Sequence, residues 1–385
     1  MNGIYIHIPF CVKKCIYCDF YSTTNLTLED TFVSALIKEI RIAGQEKSDG
    51  IKTKIDTIYF GGGTPSTISS TNIDKIIAEI SNCYDVESDS EITIEVNPGT
   101  ISAGKLADYK QIGINRINAG VQSFNEASLN FLNRIHTADD AVNFINSARK
   151  NGFDNVGIDL IYCLPGQTKE MWLDDLKTAV QYNPEHMSCY ILTYEDGTPL
   201  YTLYKNEKIT PIGDELSSVL FETTIDFLSS NRYHHYEISN FSSSVKTRSR
   251  HNYKYWDFIS YRGFGPSAHS FEAENDKRFW NISNLDKYVK CLQSNRLPVA
   301  EKEVLSLEQK MIEALFLGFR KTAGINISLF NTTFNTDFKK LFKTRIKELT
   351  ASKIITFTEN NHCQLTRKGI LLADRIASLF VNELQ

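Results

Sequence analysis

Hydrophobic and polar residues alternate with two different periods along the first half of the chain. Six short apolar segments have the length and β-branched character of buried strands, and segments of helical period separate them. The predicted strands are 4–8, 55–60, 91–96, 116–121, 156–161 and 187–192. The predicted helices are 27–43, 71–83, 102–111, 125–133 with 138–151, and 169–181. Regular alternation of this kind indicates parallel strands joined by crossover helices.

The repeated strand–helix unit predicts an α/β fold, for which two architectures fit equally well. A partial barrel and an open doubly wound sheet both contain parallel strands covered by helices. Both also place their functional sites after the carboxyl ends of the strands. The alternation ends near residue 200, so we predict that residues 1–200 form the first segment of the chain.

Two further segments differ from the first in their pattern. Residues 201–300 are less regular, with one predicted helix at 213–230 and an aromatic-rich stretch at 233–271, and we predict that they link or cap the first segment. Residues 301–385 show helices, a two-stranded ribbon and a last helix, an order that resembles a winged helix of the α+β class. The predicted bounds there are 307–319, 327–331, 338–351, 354–358 with 362–366, and 367–382.

Composition indicates a soluble globular chain. Of 385 residues, 42% are hydrophobic and 23% charged, and no apolar run approaches the ~18 residues that span a bilayer. The first residues lack the basic start and apolar core of a signal peptide, so we expect a cytoplasmic protein. The net charge of −4 argues against nucleic acid as a partner. From residue 300 onward, however, 13 Lys and Arg face 9 Asp and Glu, a net charge of +4.

Three of the eight cysteines lie close together, on a predicted loop after the first strand. Cys11, Cys15 and Cys18 are separated by three and two residues. Three thiolates on a short loop suit an iron–sulfur cluster, whereas zinc sites usually combine two cysteine pairs or add histidines. The spacing favours a cluster, with zinc and free thiols as alternatives. We predict purely structural roles for the other five cysteines, Cys83, Cys163, Cys189, Cys291 and Cys363.

The cysteine loop, together with the preceding Tyr-x-His-x-Pro-Phe, resembles the cluster loop of radical S-adenosylmethionine (SAM) proteins. It is most similar to the oxygen-independent coproporphyrinogen oxidase family, and the resemblance extends over nearly the whole chain. It implies a partial (β/α)6 barrel and a [4Fe-4S] cluster held by Cys11, Cys15 and Cys18. It further implies that SAM chelates the fourth iron, where electron transfer generates a 5′-deoxyadenosyl radical.

The resemblance also implies SAM-binding residues after successive strands. Gly63 and Thr64 match the family segment that contacts the SAM amino group, although the glycine run alone equally fits a tight turn. That run matches neither a P-loop nor a dinucleotide fingerprint. Taken singly, the remaining matches would be ordinary polar residues near strand ends. They are Tyr5, Tyr17 before the third cysteine, Glu95, Gln122, Arg134 near the SAM carboxylate, and Asp159 in the ribose region.

Two departures separate the chain from true coproporphyrinogen oxidases. Those enzymes carry a further cysteine two residues after the third, where this chain has Phe20, and an extension before the first strand, which begins here near residue 4. The segment His251-Asn-x-x-Tyr-Trp instead resembles the haem-chaperone branch of the family. Histidine is a haem ligand and aromatic rings pack against porphyrins, so we predict that His251 binds haem. A hydrogen-bonded histidine in an aromatic cluster is the alternative, and weaker ligand candidates are His234, His235 and His269.

The sequence therefore predicts a radical SAM-type haem chaperone that delivers haem to haem-dependent enzymes. We expect respiratory recipients, reached at the membrane surface, and an electron donor for the cluster. A coproporphyrinogen III oxidase, which decarboxylates propionates by radical chemistry, is the second hypothesis, so enzymatic activity stays open. A nucleic-acid-binding winged helix is the third, because the predicted helix 338–351 carries five basic residues, although no nucleic-acid partner is expected.

Overall fold

The first six strands form a parallel sheet in chain order, as the alternation predicts. The computed structural model describes residues 1–45 and 51–384. Each strand pairs with the next in parallel register, from Tyr5 opposite Tyr59 to Asp159 opposite Ser188. The strands are β1 (Asn2–Ile8), β2 (Lys54–Gly62), β3 (Asp85–Val96), β4 (Arg116–Gln122), β5 (Val156–Tyr162) and β6 (His186–Ile191).

Helices connect these strands close to the predicted positions. Five of the six begin at a Ser, Thr or Asn whose side chain accepts a hydrogen bond from the first turn, which satisfies a backbone donor there. The helices are α1 (Glu29–Gly44), α2 (Ser70–Cys83), α3 (Ala103–Gln111), α4 (Glu126–Phe131), α5 (Ala138–Lys150) and α6 (Lys169–Gln181).

Alternation along the strands gives the curved sheet an apolar outer face and a polar inner face. Ile4, Ile6 and Ile8 are fully buried against the helices, so Tyr5 and His7 point to the opposite, inner face. Buried polar residues from the neighbouring strands share that inner face. In the described part of the chain β1 does not pair with β6, so the barrel is open on one side. This partial barrel confirms the predicted α/β fold.

Residues 199–304 contribute strands that the sequence pattern did not reveal. They extend the sheet at both edges, giving the order β12-β11-β10-β9-β1-β2-β3-β4-β5-β6-β8-β7. Most of these strands have only three to five residues, too few for a clear period. The elements are α7 (Pro199–Lys205), α8 (Asp214–Ser230), β7 (His234–Glu237), β8 (Asn240–Ser242), α9 (Arg250–Trp256), β9 (Tyr261–Phe264), β10 (His269–Glu272), β11 (Lys277–Asn281), α10 (Leu285–Gln293) and β12 (Val299–Val304).

The C-terminal segment has the predicted order of helices and ribbon around its own phenylalanine-rich core. The predicted helix 338–351 is broken at Phe342, whose backbone leaves the helical region while its ring stays buried 5.0 Å from that of Phe338. The predicted helix 367–382 is likewise broken after Ile370. The elements are α11 (Leu307–Arg320), β13 (Ile325–Asn326), α12 (Ile327–Phe334), α13 (Phe338–Leu341), α14 (Lys343–Ala351), β14 (Ile355–Phe357), β15 (His362–Leu365), α15 (Arg367–Ile370) and α16 (Ala373–Val381).

Ion pairs connect this C-terminal segment to the elements before it. Arg320 at the end of α11 binds the fully buried carboxylate of Glu237 in β7, at 2.7 Å, and Arg367 pairs with Asp226 in α8. The predicted division of the chain near residues 200 and 300 stays a prediction. Within residues 1–45 and 51–384, none of the helices has the length and apolar character needed to cross a bilayer.

Candidate functional site

A cavity of about 590 Å³ opens at the carboxyl ends of the barrel strands. The open barrel leaves this end uncovered, and loops after β1 to β6 supply its wall. Ten of the twelve residues predicted for the site line it together. They are Cys11, Cys15, Tyr17, Cys18, Gly63, Thr64, Glu95, Gln122, Arg134 and Asp159.

Backbone hydrogen bonds attach the base of the cysteine loop to the strand ends. The amide of Cys11 donates to the carbonyl of Thr23 at 3.0 Å, which closes the loop on itself. From the neighbouring β2 edge, the amides of Gly63 and Thr64 donate to the carbonyls of Ile8 and Phe10 at 2.8 and 2.7 Å. The loop is therefore held at its base, with its thiols directed toward the cavity.

Gly63 makes this approach of two backbones possible. A Cβ atom there would lie 2.7 Å from the Phe10 carbonyl oxygen and 3.1 Å from the sulfur of Cys11. Both distances are tighter than ordinary contacts, so a side chain would push the loop away from β2. A glycine at this position lets the two chains meet beside the first cysteine.

Two of the cysteine sulfurs accept hydrogen bonds from the cavity wall. The Arg134 guanidinium donates through Nη1 to Cys15 Sγ at 3.1 Å, and the Thr64 hydroxyl donates to Cys11 Sγ at 3.5 Å. The guanidinium places a positive charge beside a sulfur that would carry negative charge when it binds a metal. Burial raises the pKa of the third thiol, Cys18.

The three thiols line one cavity together. A [4Fe-4S] cluster takes each cysteine on a different iron, so three cysteines would leave its fourth iron open to another ligand. Among the described residues, no group of three metal-binding side chains is placed to hold a single metal ion.

Two carboxyl groups face the cavity from the inner side of the sheet. Burial raises the pKa of Glu95 to about 7, and the Tyr59 hydroxyl donates to its Oε1 at 2.7 Å. Burial also raises the pKa of Asp159 to about 6, and the Asn118 amide donates to its Oδ2 at 2.5 Å. Burying two acids so close together is unfavourable unless a cationic or hydrogen-bonding group faces them.

Several buried polar atoms on this wall lack an internal partner. Within the described residues, Gln122 Oε1, Arg134 Nε and Asp159 Oδ1 make no hydrogen bond. Gln122 has the left-handed φ of 69°, so the backbone turns sharply at the end of β4. Unpartnered atoms in a buried wall indicate that a polar ligand satisfies them. Acceptors and a guanidinium match the ammonium, hydroxyl and carboxylate groups of an amino-acid nucleoside such as SAM.

Tyr5 lies deeper in the barrel than the cavity. Its hydroxyl shares a 3.3 Å hydrogen bond with His7, and its ring stacks on Tyr59 with centroids 6.3 Å apart. Tyr59 in turn contacts Glu95. The structure therefore brings Tyr5 to the floor beneath the site.

His251 is the predicted residue that the structure separates from the site. It lies on α9, against Thr57 of β2 and Glu91 of β3, and its amide donates to the Glu91 carboxylate at 3.2 Å. Both ring nitrogens are engaged, Nδ1 with the Thr57 hydroxyl at 2.8 Å and Nε2 with Tyr255 at 2.9 Å. The side chain is 1% exposed, and burial lowers its pKa to about 3. A haem iron cannot reach either nitrogen in this conformation, so the predicted ligand role does not fit it.

Sequence reasoning missed the contribution of the sixth strand. Tyr190, Ile191 and Leu192 line the cavity at the end of β6, followed by Thr193 and Glu195. Tyr190 and Ile191 are about 40% exposed, as is expected at a cavity rim. Their position at the end of the predicted strand 187–192, or just after it, could have indicated them, because the other five strands supply site residues at the same level.

The chain matches two family models. Residues 5–179 match the radical SAM superfamily, and residues 305–372 match the HemN C-terminal domain. The heme chaperone HemW of Lactococcus lactis subsp. lactis is 33% identical over 99% of this chain and 97% of its own length. The chain belongs to the HemW family of radical SAM proteins.

Other relatives support this membership of the HemW family. Bacillus subtilis HemW is 32% identical, with the whole of both chains covered. The structure of Escherichia coli coproporphyrinogen III oxidase (HemN), described as a radical SAM enzyme, superimposes with a TM-score of 0.83 over 98% of this chain and 90% of that chain. At 23% identity that match shows a shared fold. The radical SAM family implies a [4Fe-4S] cluster and SAM, as the resemblance predicted.

Proposed function

We propose that this chain is a haem carrier. It holds a [4Fe-4S] cluster through Cys11, Cys15 and Cys18, binds SAM beside it, and passes haem to haem-dependent enzymes. The observation that carries the proposal is the meeting of three loop thiols, an arginine and unpartnered polar atoms in one cavity. Relatives that align with the full chain are described as heme chaperones, which supports haem as the cargo.

The cavity residues divide the binding of SAM among several strand ends. Thr64 and the backbone of Gly63 would accept hydrogen bonds from the amino group of SAM. Arg134 would face the SAM carboxylate while it donates a hydrogen bond to Cys15. Asp159 would accept a hydrogen bond from the ribose hydroxyls of SAM through its unpartnered oxygen. Gln122 would accept one from SAM through its side-chain carbonyl oxygen, which also has no partner. The chemistry that a bound and reduced cluster would supply is a one-electron reduction of the SAM sulfonium. Glu95 would hold or release a proton near neutral pH, since its pKa is about 7.

The second candidate function, coproporphyrinogen oxidation, has the shared fold in its favour. Against it stands Phe20, which is 64% exposed at the cavity rim where the oxidase resemblance predicts a cysteine. A phenyl ring cannot ligate iron or hold a substrate proton. We therefore propose that the chain does not decarboxylate coproporphyrinogen III, and an anaerobic assay with SAM and reductant tests this directly.

The partners of the carrier follow from the same proposal. Recipient enzymes would be haem-dependent respiratory proteins, met at a membrane surface. An electron donor would approach the cavity rim, where Lys13, Lys14 and the exposed Phe20 surround the cysteines. Such an exposed rim lets electrons enter without a change of fold.

Cluster assembly tests the metal part of the proposal. Cys15→Ala should abolish iron and sulfide binding after anaerobic reconstitution, because two remaining cysteines hold a cluster poorly. Cys189→Ala is the matched control, since Cys189 is buried in β6 and should not contribute a ligand. Full cluster content in Cys15→Ala would refute the assignment.

A further inference from the structure

The side chain of His269 is exposed to solvent, and its ring nitrogens could bind a ligand. It begins β10 and is exposed, with its ring stacked on Trp280 at 5.5 Å between centroids and 23° between planes. In residues 1–45 and 51–384, neither of its ring nitrogens makes a hydrogen bond. Of the eight histidines only His234 shares this property, whereas the other six use ring nitrogens in hydrogen bonds.

His269 lies at the same end of the sheet as the cysteine loop. β9 runs parallel to β1, with Phe264 opposite Ile6, so both strands end side by side. The turn that connects β9 to β10 touches β1 there, because a Cβ at Gly265 would lie 2.4 Å from the His7 carbonyl oxygen. The chain then enters β10 at His269, shortly after Gly265. His269 therefore lies at the end of the sheet where the cysteine loop leaves β1.

An aromatic cluster lies below His269 on the same side of the sheet. Phe271, two residues further along β10, is 5% exposed and contacts Tyr261 of β9 at 6.4 Å between ring centroids. These rings belong to the interior, so Trp280 is the ring that accompanies the exposed imidazole. A partly exposed indole beside a nitrogen base offers a metalloporphyrin an apolar contact and an iron ligand together.

Buried hydrogen bonds fix the turn that carries His269. The Glu39 carboxylate accepts from the Gly265 amide at 2.9 Å and from the Asn281 side chain at 2.6 Å. The backbone N–H of Asn281 donates to the Ala268 carbonyl, also at 2.9 Å. Both ends of the loop between β9 and β10 are therefore tied to α1 and β11. A fixed ligand loses less freedom when it binds a metal.

We propose that His269 is the axial haem ligand, with Trp280 orienting its ring. This proposal rests on the proposed function of the chain as a haem carrier. The imidazole binds the haem iron through one nitrogen, and the partly exposed indole of Trp280 beside it contacts the macrocycle. The site is exposed, so haem enters and leaves without unfolding of the barrel, as a carrier requires.

The test is a haemin titration of the reconstituted full chain, followed by the Soret band. His269→Ala should weaken binding at least about tenfold, since the loss of a contact at a metal site has effects of that size or larger. Added imidazole should restore the wild-type spectrum by replacing the missing ligand. Trp280→Phe should shift the spectrum less, because a ring remains for stacking. His234→Ala, which removes another exposed histidine without hydrogen bonds, should bind haem normally.

The outcomes separate this proposal from the one on which it rests. Wild-type protein with an intact cluster that binds no haem would overturn the carrier function. Haem bound by His269→Ala with unchanged affinity and spectrum would overturn only the assignment of the ligand. Loss of haem in His251→Ala, with normal binding by His269→Ala, would do the same. Unchanged cluster content in each variant keeps misfolding from imitating these results.

Discussion

At the scale of single residues, Gly63 permits the close approach of β2 to the cysteine loop. Gly63→Ala places a methyl group 2.7 Å from the Phe10 carbonyl oxygen and 3.1 Å from Cys11 Sγ. We expect it to cost about 1–3 kcal/mol in stability and to lower cluster content, because the loop must move. Measured iron and sulfide per chain, with a denaturant titration, check both effects.

A matched glycine provides the control for this substitution. In α3, a Cβ at Gly104 would meet only the Ser102 hydroxyl at 3.9 Å. Gly104→Ala should therefore leave the cluster unchanged and stabilise the helix slightly. Equal cluster content in the Gly63 and Gly104 variants would contradict the role of the close approach.

Glu39 is a buried acid whose titration should be visible in the stability of the whole chain. Burial raises its pKa to about 7, although Tyr288, Gly265 and Asn281 donate hydrogen bonds to it. The folded state therefore holds this proton more tightly than the unfolded state. The stability that it contributes is complete below the unfolded pKa, near 4.5, and is lost as pH rises through 7.

Glu39→Gln removes this titration while it keeps the shape of the side chain. Between pH 5 and pH 8 the wild type should lose about 2–3 kcal/mol of unfolding free energy relative to the variant. Denaturant titrations at both pH values measure the difference between the two proteins. A difference that does not change with pH would mean that Glu39 is ionised throughout.

At the level of elements, α9 covers the end of the barrel at which the strands begin. His251 joins it to Thr57 of β2, and Lys254 pairs with Asp56 at 2.6 Å. His251→Ala should cost about 2–4 kcal/mol, since it leaves a cavity and two buried hydroxyls without a partner. Chemical denaturation checks this, with the exposed His234→Ala as control. A loss of unfolding free energy below about 0.5 kcal/mol, the range of ordinary surface substitutions, would argue against a structural role of His251 in attaching α9.

Helix α9 also shows the limits of sequence reasoning here. The resemblance indicated that His251-Asn-x-x-Tyr-Trp is a motif of the haem-chaperone branch. A motif does not reveal, however, whether its histidine points to the interior or to the surface. The ring is turned inward because a neutral imidazole can satisfy two buried hydroxyls, Thr57 and Tyr255, at once. That arrangement depends on residues about 190 positions apart, which no local pattern contains.

The strand–helix units could be predicted because the strands are short apolar segments and the helices between them repeat their apolar residues with a helical period. The strands of residues 234–304 could not, since they are short and their burial depends on sheet edges supplied by other segments. The ten cavity residues came from strand-end positions and the resemblance together. Tyr190 has the same position at the end of β6, but a tyrosine there gives no chemical signal of its own.

On the scale of the whole molecule, the open barrel brings two surfaces to one end of the sheet. The cysteine cavity lies over the ends of β1 to β6, and the loop between β9 and β10 brings His269 to the neighbouring edge. The C-terminal segment contacts both edges through α11, where Arg320 pairs with Glu237 of β7 and Glu313 pairs with Arg278 of β11. We therefore expect cargo to bind at the end of the sheet that carries the cysteine loop.

Haem binding by the intact chain is the central expectation of the haem-carrier function. The decisive measurement is an anaerobic titration of the cluster-loaded protein with haem, followed by absorption in the Soret region. We expect a saturable spectral change that His269→Ala weakens, and no conversion of coproporphyrinogen III. A cluster-loaded protein without a saturable change is not a haem carrier, most clearly if the same preparation decarboxylates coproporphyrinogen III.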